Sequence, residues 1–283
     1  MLRSFLLDQS GDMVERGLIM AAIVVAAFLA APSAHAADEW LKKGIRKQMP
    51  VFDGSDVRKK GDQEPDTRGK VTIRRLRPQC RSDWENDPTA IPYLFYQLRL
   101  RSDDDTTWYV NNAGLDVSSD EIFQYPIIYF TSHFAFSFSD EEVKKLRTYL
   151  ERGGTLWLDD CTGSGPFMEC VPQNVQRILP GSEMKQMFRS DPAFFDLFNM
   201  VYPFAGYPDL YKEQFNRPFQ AAFVRGRPAV IFCPNDYGCR WEISTPPTAL
   251  NPLGDGAHGM AGDDQREPVY EFSINWLFFT LTH

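Results

Sequence analysis

The most constraining feature of the sequence is a strand, a helix and a second strand that follow one another with few connecting residues. Residues 126 to 131 form a continuous apolar run. Residues 139 to 142, Ser-Asp-Glu-Glu, form a capping box that starts a helix, and the glycine pair at 153 and 154 ends it. A second apolar run follows at 155 to 158. This order predicts a right-handed parallel crossover and therefore an α/β fold.

A polar segment, Asp159-Asp160-Cys161-Thr162-Gly163, directly follows the second strand. An apolar run between a glycine pair and a polar turn is typical of a buried parallel strand that ends at the edge of a sheet. In open α/β sheets, ligands bind at the carboxyl ends of the strands. His133 follows the preceding strand, so we expect it at the same edge. The sequence thus predicts where a site lies, but it does not predict which reaction, if any, takes place there.

The remaining sequence contains further elements of the same kind, with no internal repeat. Further strands are predicted at residues 71 to 77, 107 to 110, 221 to 224 and 229 to 232, the last two forming either a hairpin or two consecutive strands. Further helices are predicted at residues 88 to 100, 167 to 179, 193 to 198 and 267 to 281. Residues 244 to 266, rich in Pro, Gly and Asp, are predicted to form a long loop.

Several motifs occur in one order along the chain. They are residues 125 to 133 (Tyr-Pro-Ile-Ile-Tyr-Phe-Thr-Ser-His), 146 to 150 (Leu-Arg-Thr-Tyr-Leu), 153 to 161, 235 to 242 (Asn-Asp-Tyr-Gly-Cys-Arg-Trp-Glu), Asn275 and Thr282-His283. From about residue 71 onward the chain resembles the bacterial family called domain of unknown function 4159. The resemblance implies a flavodoxin-like layered α/β domain with a mainly parallel sheet, similar to class I glutamine amidotransferases. It implies no established activity.

Cys161 is a candidate nucleophile with His133 as its base. In class I amidotransferases the nucleophilic cysteine lies in a Gly-x-Cys-x-Gly turn at a strand end, and the segment from Asp159 to Gly163 resembles that turn. The second glycine matches and the first does not, and the downstream His-x-Glu pair of that family is absent. Asp159 and Asp160 are also expected to raise the pKa of the thiol. A cysteine-dependent hydrolase or amide-processing enzyme is therefore the alternative hypothesis, and whether the chain is an enzyme stays open.

The preferred hypothesis is a non-catalytic ligand-binding or protein-binding module that uses the strand-end edge around Cys161. Its candidate ligand-binding residues are Asp159, Asp160, Thr162, Gly163, Arg227, Asp236, Trp241 and Glu242. The carboxylates among them, with His133, could also form an oxygen-rich cation site. Because they lack a compact metal-ligand spacing, no metal and no cofactor are predicted. The alternative is that the aspartates cap a helix or form an Asx turn.

The first residues indicate export. Residues 18 to 29 are apolar and are followed by Ala34-His35-Ala36, the pattern of a signal peptide cleaved after Ala36, whether translation starts at Met1 or at Met13. The predicted organisation is a signal peptide at 1 to 36, an extended arm at 37 to 70 and one α/β domain at 71 to 283. We therefore expect a periplasmic or secreted protein with no membrane span after cleavage. The arm also suggests a third hypothesis, a structural subunit of a cell-envelope assembly.

The chain contains five cysteines, an odd number, so at least one thiol is left unpaired within the chain. In an exported protein disulfides can persist. The pairs that are close in sequence, Cys161 with Cys170 and Cys233 with Cys239, are the first candidates, although spacing does not settle the pairing.

The charge of the chain excludes one class of partner. Its formal net charge is −8, or −7 once residues 1 to 36 are removed. An acidic surface opposes the phosphate contacts on which nucleic-acid affinity depends, so no nucleic acid is expected. The basic residues Arg74, Arg75, Arg77 and Arg81 are instead predicted to lie on the exposed face of an edge strand. The expected partner is a small molecule or an envelope protein.

Overall fold

A computed structural model describes residues 71–102, 113–163, 165–188, 191, 194, 197, 200–202, 217–246, 253–257 and 263–282. The predicted signal peptide, the arm at 37 to 70 and the strand at 107 to 110 lie outside these residues. So do most of the short helix at 193 to 198 and much of the loop at 244 to 266.

The described residues form a seven-stranded mixed sheet. Its strands are β1 (Ile73–Arg77), β2 (Leu115–Asp116), β3 (Ile127–Ser132), β4 (Thr155–Asp160), β5 (Lys185–Gln186), β6 (Gln220–Val224) and β7 (Arg227–Cys233). In space the order is β2-β1-β3-β4-β7-β6-β5. The first five strands are parallel, while β6 and β5 are antiparallel to their neighbours. The prediction of an α/β domain with a mainly parallel sheet is confirmed.

Helices pack on the sheet and complete the layers. The helices are α1 (Ala90–Ser102), α2 (Asp140–Glu151), α3 (Pro166–Ile178), α4 (Tyr237–Trp241) and α5 (Asp263–Thr282), with a 3₁₀ helix at Asp120–Gln124 and a small second sheet of β8 (Ile243–Thr245) and β9 (Asp255–Gly256). None of the helices in the described part of the chain combines the length and apolarity needed to span a membrane.

Two apolar cores lie on opposite faces of the sheet. Ile127, Tyr129 and Trp157 pack with α1 and α5, whereas the intervening residues Ile128 and Leu156 pack with α2 and α3. This alternation is the two-residue period of a strand. Because both faces are covered, the strands read as continuous apolar runs in the sequence.

The predicted crossover is confirmed in its local chemistry. The Ser139 side chain accepts the backbone N–H of Glu142, and the Glu142 side chain accepts the N–H of Ser139, so α2 begins with a complete capping box. Gly154 ends the connection below Tyr149, where an added Cβ would lie 2.2 Å from the ring. The two strands then pair in parallel from Ile127 with Thr155 onward.

The strand order creates a crevice between β1 and β3. The chain leaves β1 for β2 on one side of the sheet, and continues through β3 and β4 on the other. This is the 2-1-3-4-5 order of flavodoxin-like folds when β7 is counted as the fifth strand, and such folds bind ligands where the order reverses. The loops that follow β1, β3, β4 and β7 therefore meet at one edge.

The prediction for the arginines of the first strand was wrong at two positions. Arg74 and Arg75 are only 2% and 1% exposed, because the segments that flank β2 contact Arg74 and the loop after β1 contacts Arg75. Arg74 donates to the Glu121 carboxylate at 3.0 Å, whereas Arg77 is exposed as expected. A two-residue strand such as β2 has no periodicity that the sequence could reveal.

The two strands at 221 to 232 form a hairpin rather than two consecutive parallel strands. β6 and β7 pair in antiparallel fashion around Arg225 and Gly226, which have φ of 51° and 83°. Positive φ at both central positions is the requirement of a type I′ turn, and this turn matches the twist of the strands.

Candidate functional site

The carboxyl ends of four parallel strands bring acidic residues, thiols and an imidazole together. Asp83 and Asp87 follow β1, and His133 follows β3 directly. Cys161 follows β4, and Cys239 lies in the short helix that follows β7. Parallel neighbours place their carboxyl ends at one edge, so residues far apart in sequence meet here.

We define the thiol–carboxylate cluster as Asp87, Cys161, Asp236 and Cys239. One side-chain ligand atom from each lies within 4.8 Å of the others, and all four residues are buried. The Cys161 and Cys239 sulfurs are 3.8 Å apart. Asp87 contacts both, with Oδ2 3.5 Å from the sulfur of Cys161 and Oδ1 3.4 Å from that of Cys239.

Both carboxylates of the cluster come from residues with left-handed backbones. Asp87 has φ of 51° and Asp236 has φ of 55°. Aspartate tolerates this region better than most residues because its short side chain can hydrogen-bond locally. Asp236 does so as the N-cap of α4, accepting the Cys239 N–H at 3.4 Å. These turns aim both carboxylates at the two sulfurs.

Asp159 lies beneath the cluster and holds α4 in place. Its carboxylate accepts the Tyr129 hydroxyl at 2.8 Å and the backbone N–H groups of Tyr237 at 3.2 Å and Gly238 at 2.6 Å. Burial raises the pKa of Asp159 to about 6, although these hydrogen bonds and one from Cys233 act to lower it. Its role is thus to fix the helix that supplies Cys239.

Gly238 is expected to tolerate no side chain. An added Cβ would lie 2.7 Å from the Tyr129 hydroxyl, 3.0 Å from Asp87 Oδ2 and 3.1 Å from Asp159 Oδ2. Overpacking of a buried site typically costs 1 to 3 kcal/mol, so we expect Gly238→Ala to lower the free energy of unfolding by about 2 kcal/mol. Urea unfolding measures this change. An unchanged midpoint would show that α4 does not pack this closely.

His133 connects the cluster to solvent. Its Nε2 is 3.2 Å from the Cys161 sulfur, and its Nδ1 is 2.5 Å from Asp83 Oδ2. Asp83 is itself held by the Ser132 hydroxyl at 2.6 Å and by the His133 N–H at 2.9 Å. Burial acts to raise the pKa of Asp83, but these hydrogen bonds outweigh it, so the pKa is lowered. The His133 side chain is 47% exposed, whereas Cys161 is 5% exposed.

The surroundings of the thiols disfavour free thiolates. The hydrogen bond with Cys239 favours the Cys161 thiolate, but burial and the carboxylates of Asp236, Asp87 and Asp159 raise the pKa of Cys161 to about 12. The pKa of Cys239 is raised by its hydrogen bond with Cys161 and then by burial. Burial also raises the pKa of Asp236, and the nearby Asp159 and Asp87 act in the same direction.

Arg75 fixes the loop that supplies Asp83 and Asp87. Its guanidinium donates to the carbonyl oxygens of Trp84 at 3.2 Å, Asn86 at 2.7 Å and Asp87 at 2.5 Å. Burial lowers the pKa of Arg75, and the nearby charges of Tyr129, Asp87, Glu242 and Cys161 oppose that effect. The buried arginine is therefore a scaffold for the loop as well as a countercharge.

Several predicted binding residues lie near the cluster without entering it. Asp160 accepts the N–H and hydroxyl of Thr162 at 3.0 and 2.8 Å. Gly163 has φ of 62° and donates its N–H to the Asp160 carbonyl. These residues shape the turn after Cys161. Glu242 follows α4, is 6% exposed and favours the charged form of Arg75.

Two other predicted binding residues are structural. Arg227 begins β7 at the opposite end of the sheet, where it donates to the Thr155 hydroxyl at 2.7 Å and the Gly154 carbonyl at 2.8 Å. Trp241 is fully buried, and its indole N–H donates to the Ser273 hydroxyl at 3.0 Å. The structure brings neither side chain to the candidate site as a surface for a ligand.

The cysteine pairs suggested by sequence spacing do not form. All five cysteines, which are all among the described residues, are free thiols. The near neighbour of Cys161 is Cys239, 78 residues along the chain. Cys233 ends β7, points into the core with α5 and lies beside Asp159. Proximity in sequence was a poor guide because the sheet brings distant strand ends together.

Sequence reasoning missed Asp83 and Asp87 and gave Cys239 a different role. A signal for the first two existed, since both follow the predicted strand at 71 to 77 and precede a predicted helix. In a parallel sheet such a loop lies at the same edge as His133 and Cys161. Nothing in the spacing showed that Asp87 adopts a left-handed backbone and turns its carboxylate toward the sulfurs.

Residues 72–281 match the family model described as "Domain of unknown function (DUF4159)". This match covers well over half of the chain, so the protein belongs to that family. No curated protein sequence matches the chain.

Proposed function

We propose that this protein is a metal-binding α/β domain that holds a zinc ion between Asp87, Cys161, Asp236 and Cys239. The observation that carries the proposal is the convergence of two thiols and two carboxylates, all buried, within 4.8 Å. It keeps the idea of a ligand-binding module at this edge and names the ligand as a divalent cation.

The distances within the cluster support tetrahedral coordination. With zinc–sulfur bonds of about 2.3 Å, two sulfurs at tetrahedral angles lie about 3.8 Å apart. The Cys161 and Cys239 sulfurs are 3.8 Å apart. With zinc–oxygen bonds of about 2.0 to 2.1 Å, sulfur and oxygen ligands lie about 3.5 to 3.6 Å apart. Asp87 Oδ2 lies 3.5 Å from the Cys161 sulfur and Asp87 Oδ1 lies 3.4 Å from the Cys239 sulfur, so each sulfur has one oxygen of this carboxylate near that spacing.

The donor types support zinc over harder cations. Thiolates are soft ligands that select zinc and similar metals, whereas calcium and magnesium prefer sites made of oxygen alone. A divalent ion would also balance the negative charge that Asp87, Asp236 and the two thiolates place in a buried position. Four buried protein ligands make a closed site, which is typical of structural zinc. The ion would join the loops after β1, β4 and β7.

His133 and Asp83 form a carboxylate–histidine pair of the kind that is common around metal sites. A carboxylate that accepts the Nδ1–H of a histidine fixes the ring and leaves Nε2 for the metal. Here Asp83 takes that part and Nε2 faces the Cys161 sulfur. His133 therefore lies beside the Cys161 ligand as its oriented neighbour, outside the set of four ligands.

Calorimetric titration of the metal-free chain with zinc chloride tests the proposal. We expect one zinc per chain. Loss of an outer residue at metal sites costs 10- to 100-fold in affinity, so Cys161→Ser or Cys239→Ser should cost about 100-fold or more. Cys170→Ser on α3, outside the cluster, is the matched control and should bind as the wild type does. Absence of binding, or equal binding by Cys161→Ser, would refute the proposal.

The second candidate function is a cysteine hydrolase. The observation in its favour is the chain of contacts from Cys161 through His133 to Asp83, which is the arrangement of nucleophile, base and orienting carboxylate. Asp83 would be the third member that the sequence did not reveal. The raised pKa of Cys161 opposes this function, because the nucleophile is the thiolate.

Alkylation by iodoacetamide distinguishes the two candidates. In a hydrolase, Cys161 of the metal-free protein should react at a pH well below the ordinary thiol pKa of about 8.5. In the metal site, zinc should protect Cys161, and without zinc Cys161 should react no more readily than an ordinary thiol. Peptide mapping by mass spectrometry identifies the alkylated residue, and Cys170 serves as the internal reference.

We also propose that the protein is exported, with cleavage after Ala36, on the strength of the leader pattern. The intact mass of the protein recovered from the producing cell tests this, since a chain that begins at Ala37 is expected and one that retains residues 18 to 29 contradicts it. The envelope-subunit hypothesis depends on residues 37 to 70. Removal of that arm should release the protein from any assembly that co-purifies with it.

A further inference from the structure

The Cys161 and Cys239 thiols are placed for more than metal binding. Their sulfurs are 3.8 Å apart, and they come from different elements, the end of β4 and the helix α4. A disulfide bond is about 2.05 Å long, so each sulfur would have to move about 0.9 Å toward the other. The described structure places no other cysteine in contact with this pair.

We propose that Cys161 and Cys239 are a site of reversible oxidation, at which a peroxide converts the two thiols to a disulfide, and that this disulfide and zinc binding exclude each other. The exclusion rests on the proposed function, because both sulfurs are ligands in it. The formation of the disulfide does not depend on the proposed function.

The surroundings indicate which thiol reacts first. Cys161 lies beside the partly exposed His133, whose Nε2 is 3.2 Å from the sulfur. On the other side of the ring, Nδ1 lies 2.5 Å from Asp83 Oδ2, so the ring is held in place beside the Cys161 sulfur. Among the described residues, the Cys239 sulfur contacts Cys161 and Asp87 instead. Cys161 is therefore the thiol attacked by oxidant, and Cys239 is the resolving thiol.

The proposed chemistry balances with a peroxide as the oxidant. The Cys161 sulfur attacks one peroxide oxygen, the O–O bond breaks, and the leaving hydroxide takes the thiol proton to form water. Cys161 is then a sulfenic acid. The Cys239 thiol attacks that sulfur, the S–O bond breaks and a second water leaves. Two thiols have lost two electrons, and one hydrogen peroxide has become two waters.

Zinc should slow this reaction by mass action. If only the metal-free protein reacts, free zinc at about 100 times its Kd leaves about one chain in a hundred available, so the disulfide should form about 100-fold more slowly. Conversely, the disulfide removes two thiolates from the cluster. The oxidised protein should therefore bind no zinc until a reductant such as dithiothreitol restores the thiols.

The experiment treats the full chain with excess hydrogen peroxide, with and without zinc. Remaining thiols are blocked with N-ethylmaleimide, and non-reduced peptides are mapped by mass spectrometry. We expect a Cys161–Cys239 linked peptide in the metal-free protein, its loss on reduction, and its suppression by zinc. Cys170→Ser should behave as wild type, while Cys239→Ser should leave sulfenic acid on Cys161 and no intramolecular link.

The outcomes separate the two proposals. Zinc binding without any Cys161–Cys239 link in the metal-free protein would overturn the oxidation site and leave the metal site intact. A link that forms equally fast in zinc-saturated protein would overturn the exclusion. A link in a chain that binds no zinc in the calorimeter would support the oxidation site, overturn the exclusion and refute the proposed function.

Discussion

Zinc is expected to raise the thermal midpoint of the metal-free protein by about 10 °C. A ligand that binds only the folded state stabilises it by about 4 kcal/mol at a free concentration of 1,000 times its Kd. For a domain of this size each kcal/mol corresponds to about 2 to 4 °C. The structural reason is that zinc would join three loops that otherwise meet as buried thiols and carboxylates around Asp87, Cys161, Asp236 and Cys239.

Differential scanning calorimetry at neutral pH, with a chelator and then with zinc, measures this shift. The double variant Cys161→Ser with Cys239→Ser keeps a similar volume and removes both sulfur ligands, so its midpoint should not respond to zinc. A shift of the same size in that variant would mean that zinc binds elsewhere. No shift in the wild type would contradict the metal site.

The metal-free protein is expected to lose stability as pH rises from about 4 to about 7. Burial raises the pKa of Asp159 to about 6 from 3.8, and raises that of Asp236 well above 3.8. A raised folded-state pKa means that the folded protein still holds a proton that the unfolded chain has lost. The resulting stabilisation is complete below pH 3.8 and disappears as pH rises through the folded value. For Asp159 the difference corresponds to roughly 3 kcal/mol.

The tyrosine and the thiol that face Asp159 do not ionise between pH 4 and pH 7. Tyr129 and Cys233 face it, and burial raises the pKa of each above its ordinary value, so neither ionises below pH 7. Among the described residues, its other hydrogen bonds come from the backbone N–H groups of Tyr237 and Gly238. Asp83 has a lowered pKa and acts in the opposite sense, but only below about pH 4.

Urea unfolding in a chelator at several pH values measures this dependence. Asp159→Asn cannot ionise, so its stability should vary less across the window even if its absolute stability is lower. Stability that increases from pH 4 to pH 7 in the wild type would contradict the buried carboxyls. Zinc should reverse the trend, because its ligands must be deprotonated and its stabilisation therefore grows with pH.

Local signals predicted much of the fold. The capping box at Ser139 and Glu142, the glycine pair at 153 and 154 and the apolar run at 155 each act within a few residues, and all three are present as predicted. The helix predicted at residues 267 to 281 is also present, as part of α5, and Asn275 in it bonds a loop backbone. Its side chain accepts the N–H groups of Val201 and Tyr202, both at 2.8 Å.

Errors arose where distant segments decide the outcome. Arg74 and Arg75 are buried because the segments that flank the two-residue strand β2 and the loop after β1 cover them. Cys161 meets Cys239 rather than Cys170 because β4 and β7 are neighbours in the sheet. Neither adjacency is encoded in the spacing of the residues concerned.

The candidate site was predicted in its place and only partly in its members. Cys161, His133 and Asp236 were named from the strand ends, and the structure places all three at one edge. Asp83 and Asp87 were not named, although both lie in the loop that follows the first predicted strand. Asp87 lies close to both thiols and completes the cluster with Asp236. Without Asp87 the sequence did not indicate a set of metal ligands.

X-ray absorption of the zinc-loaded protein at the zinc edge measures directly whether the Cys161 and Cys239 sulfurs bind the ion. We expect two sulfur ligands at about 2.3 Å and two oxygen or nitrogen ligands at about 2.0 to 2.2 Å, with one zinc per chain. Replacement of Cys239 by serine should remove one sulfur from that shell. A shell made of oxygen and nitrogen alone would contradict the proposed zinc site, because it would show that the Cys161 and Cys239 thiols do not bind the ion.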